Sequence, residues 1–340
     1  MTVQTALPPN APKATEAEEE NIKLQPLNAF DKPSVHQSLV QITTALSESS
    51  DPATWDNLIP FLEGVRLARV KLDTMFLTRL ARKANLQGKG RWNTILTAAT
   101  MAKRTDVRLD QRGLTRELIL GAHHRAAVSH FSSDGPAKTV ERVVLLLEAD
   151  EHCGQHHLDT MSKLKNTDII LHKSQRAEIE ACTDMRRDPF VIAAKLSFAS
   201  AKALRDHKGK DTDGLVAKTT QQLIAIVKGL DSGLIKFTQK WNSTSGRAES
   251  ETRSDWARDA NVLEELSVVQ CALTLANKVD MQPTLEKEKN VQLHSALRKV
   301  LDQVQREISS AKSSVRKASG DRPRRCFQLL DAVQETLKKL

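Results

Sequence analysis

Several things are scarce in this 340-residue chain. Tyrosine is absent and aromatics make up only 4%, which leaves Leu, Ala and Val to build the interior and favours helix packing over a β-sandwich. Cys153, Cys182, Cys271 and Cys326 are far apart and form no Cys-x-x-Cys pair, so neither a disulfide framework nor a zinc ribbon is indicated and a reducing compartment fits. No apolar run approaches the roughly 20 residues that span a bilayer. A secretory signal is not visible, and Glu16, Glu18, Glu19 and Glu20 make the first thirty residues acidic, unlike a standard mitochondrial presequence. A Walker loop, a Gly-x-Ser-x-Gly elbow and a kinase motif set are all missing, so no enzyme, no small-molecule substrate and no cofactor is expected. Paired acids such as Asp150-Glu151 and Glu264-Glu265 read as solvent-facing, with no partner in sequence to perturb them.

The most unusual shortage is of acids between Arg66 and Arg116. Thirteen Lys/Arg face only Asp73, Asp106 and Asp110 there, a balance of +10 against +9 for the whole chain. A solvated helix face ordinarily mixes Glu with Lys for i, i+4 support. A field of one sign attracts polyanions, and neutralising phosphates is the sequence-independent part of nucleic-acid affinity. Arg79, Arg82, Lys83, Lys89, Arg91, Lys103, Arg104 and Arg108 are therefore the candidate RNA-contacting residues. Stacking aromatics are few, and Phe76 and Trp92 fit the core better than a base platform. A second positive region runs from Lys289 to Arg325, ten Lys/Arg against three acids.

Apolar spacing predicts an all-α protein. Residues 1–30 read as a disordered or draped tail. Leu39, Ile42 and Leu46, then Trp55, Leu58, Phe61 and Leu62, mark two lead-in helices. Leu72, Phe76, Leu80 and Ala84 repeat every four residues, and Trp92, Ile95, Leu96 and Ala99 follow after Gln87-Gly88-Lys89-Gly90. Thr105 to Asp110 is a connector, after which Leu114, Leu118, Ala122 and Val140, Val143, Val144, Leu147 make a second hairpin. A helix is also expected over about 174–182. Asp188-Pro189 opens a further helix, with Asp as N-cap and Pro in the first turn, and Leu215 to Leu230 returns. The expected organisation is a solenoid-like stack of antiparallel helical hairpins over 31–240, a polar linker at 241–254 and a C-terminal helical bundle over 255–340. The bundle's helices are placed at about 255–278, 285–311 and 323–339.

His152, Cys153, His156 and His157, with His123, His124 and Glu148 close in a hairpin, form the cluster from which a metal site could be drawn. Gly154 interrupts the helix that would align the first four, and histidines at a hairpin turn ordinarily face solvent.

The order helix, turn, helix, then the connector Thr105-Asp106-Val107-Arg108-Leu109-Asp110 resembles the repeat junction of pentatricopeptide-repeat proteins, in particular their diverged fungal mitochondrial type. Trp92-Asn93-Thr94-Ile95-Leu96 is similar to the opening of that family's first helix. The resemblance spans roughly residues 66–153, with a longer spacing than the family's, and no base-reading position is assigned from it. It implies a non-catalytic protein of mitochondrial RNA metabolism or translation, in the matrix or otherwise cytoplasmic. The alternative is a protein-only scaffold, assembly factor or peripheral subunit of a large complex such as a mitochondrial ribosome or respiratory complex.

Overall fold

The computed structural model describes residues 35–49, 52–70, 72, 74–88, 90–149, 151–152, 185–230, 234, 255–281, 286–319 and 324–339. The fold is all-α, and among the described residues the one β-feature is an isolated bridge between Lys210 and Asp280. No helix among them is long and apolar enough to cross a membrane. The tail (1–30), the helix expected at 174–182 and the linker at 241–254 lie outside them.

Helices α1 (Val35–Glu48), α2 (Pro52–Asp56) and α3 (Leu58–Leu67) lead into α4 (Thr74–Gln87). The Trp55 indole donates to Leu46 O at 3.1 Å and ties the first two together. The four-residue repeat of α4 is its core stripe: Leu72, Phe76, Leu80 and Ala84 are all buried. Gly88 and Gly90 take positive φ between α4 and α5 (Arg91–Thr100), as a tight helix-to-helix reversal requires. The helix expected to run on to the connector breaks at Met101, giving a separate turn α6 (Ala102–Thr105).

The connector is no surface loop. Asp106 adopts left-handed φ, Val107 and Leu109 are fully buried, and the Thr105 hydroxyl donates to Ala98 O at 2.7 Å. Thr115 then donates to Leu109 O at 2.6 Å from the first turn of α7 (Arg112–Val128). Helices α4 and α7 run parallel: Gly113 lies against Thr78, and Gly121 against Asn85. A Cβ at either glycine would overlap the opposing side chain, so the missing side chains allow the close seam. Equivalent helices of successive hairpins lie side by side in this way in a solenoid. Helix α8 (Asp134–Leu147) closes the second hairpin.

Asp188 caps α9 (Pro189–Asp206), accepting from Phe190 N at 2.8 Å. Helix α10 (Leu215–Lys228) returns from it, its first turn held by the buried Asp211 carboxylate. The remaining helices are α11 (Asp255–Lys278), α12 (Lys287–Ser319) and α13 (Arg325–Lys339). Helix α11 is buried on every side from Val262 to Val269, as a helix surrounded by others must be. It packs on α12, α9, α13 and α7. The small residues Ala193, Ala194, Ser197 and Ser200 of α9 are all buried and let α11 approach closely. The C-terminal helices therefore share one hydrophobic core with the hairpins, and α11 and α13 lie directly on α7.

Candidate nucleic-acid interface

Where α11 and the start of α13 meet the start of α7, the contact is made by charge. Arg112 donates to Asp188 at 2.7 Å and, with two nitrogens, to Glu265 at 3.1 and 2.6 Å. Arg116, one turn on, reaches Glu265 at 2.7 Å, Glu264 at 2.8 Å and Glu117 at 3.1 Å. Arg325, the first residue of α13, joins Glu117 at 2.7 Å to Glu264 at 2.9 Å. Arg82 on α4 completes the set by donating to Glu117 at 2.8 Å. Four guanidiniums thus meet four carboxylates, drawn from α4, α7, the α9 cap, α11 and α13.

Burial would push the Glu117 carboxyl up, but Arg325, Arg116 and Arg82 outweigh it and hold it down to about 2. Glu265 is held below the ordinary carboxylate range against the same burial by Arg112 and Arg116. Burial opposes the charge on Arg112 and Arg116, and the surrounding carboxylates override it and raise both. The expectation that Glu264 and Glu265 face solvent is therefore corrected. Both are buried because every side of α11 is covered, and Arg112, Arg116 and Arg325 supply the compensation that buried charge needs. The sequence carried one hint: an acid pair set inside the apolar run Val262 to Val269.

The candidate cations separate into two groups. Arg79 and Lys83 are exposed on the outward face of α4. Arg82, between them, is 46% exposed while bound to Glu117. Lys103 and Arg104 are exposed but engaged, Lys103 with Glu151 at 2.7 Å and Arg104 with Glu63 at 2.8 Å. Arg108 folds onto Asp106 at 3.2 Å. Arg91 is turned inward, with its guanidinium over the Trp55 ring at 5.9 Å and donating to Gln87 and Ser49 O. Lys89 lies outside the described residues.

One cation beside this face was not singled out from the sequence. Arg125 of α7 stacks its guanidinium 3.5 Å from the centroid of the Trp92 ring and donates to Asn85 Oδ1 at 3.2 Å. Asn85 in turn donates to Glu117 O at 2.6 Å, so Arg82, Asn85 and Arg125 follow one another along the α4–α7 seam. No carboxylate meets Arg125 among the described residues, and burial lowers it to about 10. Trp92 is thus partly core and partly a platform for this guanidinium, an arrangement that needs α5 and α7 brought together.

The metal candidates do not converge among the described residues. His152 is buried with both ring nitrogens occupied: Nδ1 accepts from Leu109 N at 3.1 Å, and Nε2 lies 3.1 Å from Ala99 O. It pins the connector, and burial pushes it below the ordinary histidine range. His123 sits instead between Phe131 and Phe198, with Nε2 3.3 Å from the Ser197 hydroxyl. Burial holds it down to about 3. Among the described residues no three His, Cys, Asp or Glu side chains group to hold a metal. Cys153, His156 and His157 lie outside them.

This arrangement combines a charge-locked interior with an outward cationic helix face. Neither curated proteins nor solved structures yield a match to the chain. A family model described as mitochondrial ribosomal protein mS27 matches residues 7–332. The match supports the subunit alternative above the free RNA-binding repeat protein, and it is not specific to pentatricopeptide repeats. It puts the protein in the mitochondrial matrix, as a structural component whose partners are the protein and RNA of a large complex. With the match covering nearly the whole sequence, the chain belongs to the mitochondrial ribosomal protein mS27 family.

Proposed function

We propose that this chain is a peripheral subunit of the mitochondrial ribosome that docks as a pre-formed helical body, its α4 face with Arg79, Arg82 and Lys83 set against ribosomal RNA phosphates. The observation that carries the reading is the family match over residues 7–332. The interior geometry favours it over a free transcript binder. On α7, Arg112 and Arg116 would be prime phosphate ligands in an open repeat array, because arginine pairs bidentately with phosphate as it does with carboxylate. Here Glu264 and Glu265 already take that place. On the first two hairpins, what remains for RNA is the outward cations of α4, which contact backbone without reading sequence. Specific placement then comes from the ribosome's own surface.

Sedimentation of tagged protein from a mitochondrial lysate tests this reading. Co-migration with a ribosomal subunit, lost on high-salt washing, is the expected result. Protein that stays at the top of the gradient while ribosomal markers sediment overturns it.

A further inference from the structure

The second positive region does not enter the charge network as a whole. Most of it forms α12, a 33-residue helix and hence about 50 Å long. Leu297, Val300, Val304, Ile308, Ala311 and Val315 make its buried stripe, and it packs chiefly on α11 and α10 among the described elements. On the opposite side Lys299, Arg306, Ser310, Ser313 and Lys317 are all exposed. At about 100° per residue, which is 3.6 residues per turn, these five fall in one row along the helix. Asp302 stands beside the row, where it lines a shallow open depression with Gln305, Arg306 and Ser309. From Lys299 to Lys317 no large apolar residue is exposed.

We propose that this row is a second docking surface for ribosomal RNA, binding the phosphate backbone. The proposal rests on the subunit reading and extends it from α4 to a separate helix. Charge complementarity argues for RNA: lysine and arginine neutralise phosphates, and serine hydroxyls are common phosphate donors. A protein partner would require apolar or aromatic anchors seated in pockets, and the row offers none.

The C-terminal end of α12 reaches α13. Arg316 lies over the Phe327 ring at 5.7 Å. Two residues earlier in α13, Arg325 grips the same Glu117 that holds Arg82 of α4.

The test is a salt titration of labelled single-stranded RNA of mixed sequence against the full-length protein. It compares wild type, Lys299→Gln/Arg306→Gln/Lys317→Gln and, separately, Arg79→Gln/Lys83→Gln. All five side chains are exposed, and circular dichroism with a melting curve checks that each variant folds as wild type does. Losing three phosphate contacts makes the log–log salt slope shallower by about 2, at roughly 0.7 per phosphate for single strands. That change in the α12 variant supports the proposal, and a wild-type slope overturns it. An α12 variant that leaves the ribosome in gradients yet keeps the wild-type RNA slope also overturns it, because the row then docks on protein. Wild-type protein sedimenting with the ribosome beside an unchanged α12 slope removes this inference and leaves the subunit reading standing. Wild-type protein at the top of the gradient removes the subunit reading itself.

Discussion

Helices α4 and α7 lie side by side and carry similar arginine pairs, Arg79 with Arg82 and Arg112 with Arg116, yet the two pairs meet opposite fates. On α4 the cations point outward, and among the described residues Arg82 is the one of them that reaches a carboxylate. On α7 both arginines are enclosed, with side chains only 9% and 5% exposed, and saturated by acids. The difference is what packs on them. Helices α11 and α13 cover α7, whereas the Arg79–Lys83 face of α4 is exposed. A run of positive charge in sequence thus holds both an internal lock and an exposed face, which composition cannot separate.

The largest loss of stability is expected at the lock. Arg116→Met leaves Glu264, Glu265 and Glu117 short of a partner and should cost about 3–5 kcal/mol, read from urea denaturation as a lowered midpoint or as failure to fold. Arg82→Met should cost about 1 kcal/mol or less, because Arg82 is itself half-exposed and the buried Glu117 keeps Arg116 and Arg325. Equal losses at the two positions would erase the distinction drawn here.

Next in size is the seam between the helices. Gly121→Ala places a methyl group where the Asn85 amide sits and interrupts its bonds to Glu117 O and Arg125. A loss of about 1–3 kcal/mol is expected from overpacking, with α4 displaced from α7 and the Trp92 environment altered in fluorescence.

Acid should loosen the same interior in two stages. His123 has its proton affinity lowered in the folded state, to about 3 from an ordinary 6.5, so the unfolded chain binds the extra proton between those values. Stability therefore falls as pH drops from about 6.5 toward 3, with at most about 1.4 kcal/mol per pH unit from this group. Glu117 is lowered to about 2 from 4.5, so its contribution is intact above 4.5 and is lost as pH falls from there through 2. Chemical denaturation at stepped pH checks both, and His123→Phe should make the first stage shallower without abolishing it, because burial also lowers His152.

The smallest expected effect on stability is on the outward face. Arg79→Gln with Lys83→Gln should change unfolding by no more than about 0.5 kcal/mol, while the salt slope of RNA binding becomes shallower by about 1.4. A large stability loss here would mean that α4's cations belong to the lock.

Much of the fold was legible because helix periodicity is local. The stripe Leu72, Phe76, Leu80, Ala84, the Asp188-Pro189 start and the order of the helices from 255 onward follow from spacing and capping within a few residues, although α12 runs on to Ser319, past the end expected at about 311. The break at Met101 was not legible, since apolar residues continue across it. Nor was the partnership of His152 with Leu109 N and Ala99 O, which brings together groups 43 and 53 residues apart.

By itself the sequence determined that the chain is helical, where most helices begin and which stripe of each is apolar. It also determined that positive charge is concentrated in two stretches. Only the tertiary structure decided which of those charges are available. Arg116 and Glu264 are 148 residues apart in sequence and 2.8 Å apart in space, and a periodic pattern cannot encode that meeting. Whether an arginine is a lock or a contact depends on the dielectric and the counter-charge around it, and both are set by helices arriving from elsewhere in the chain.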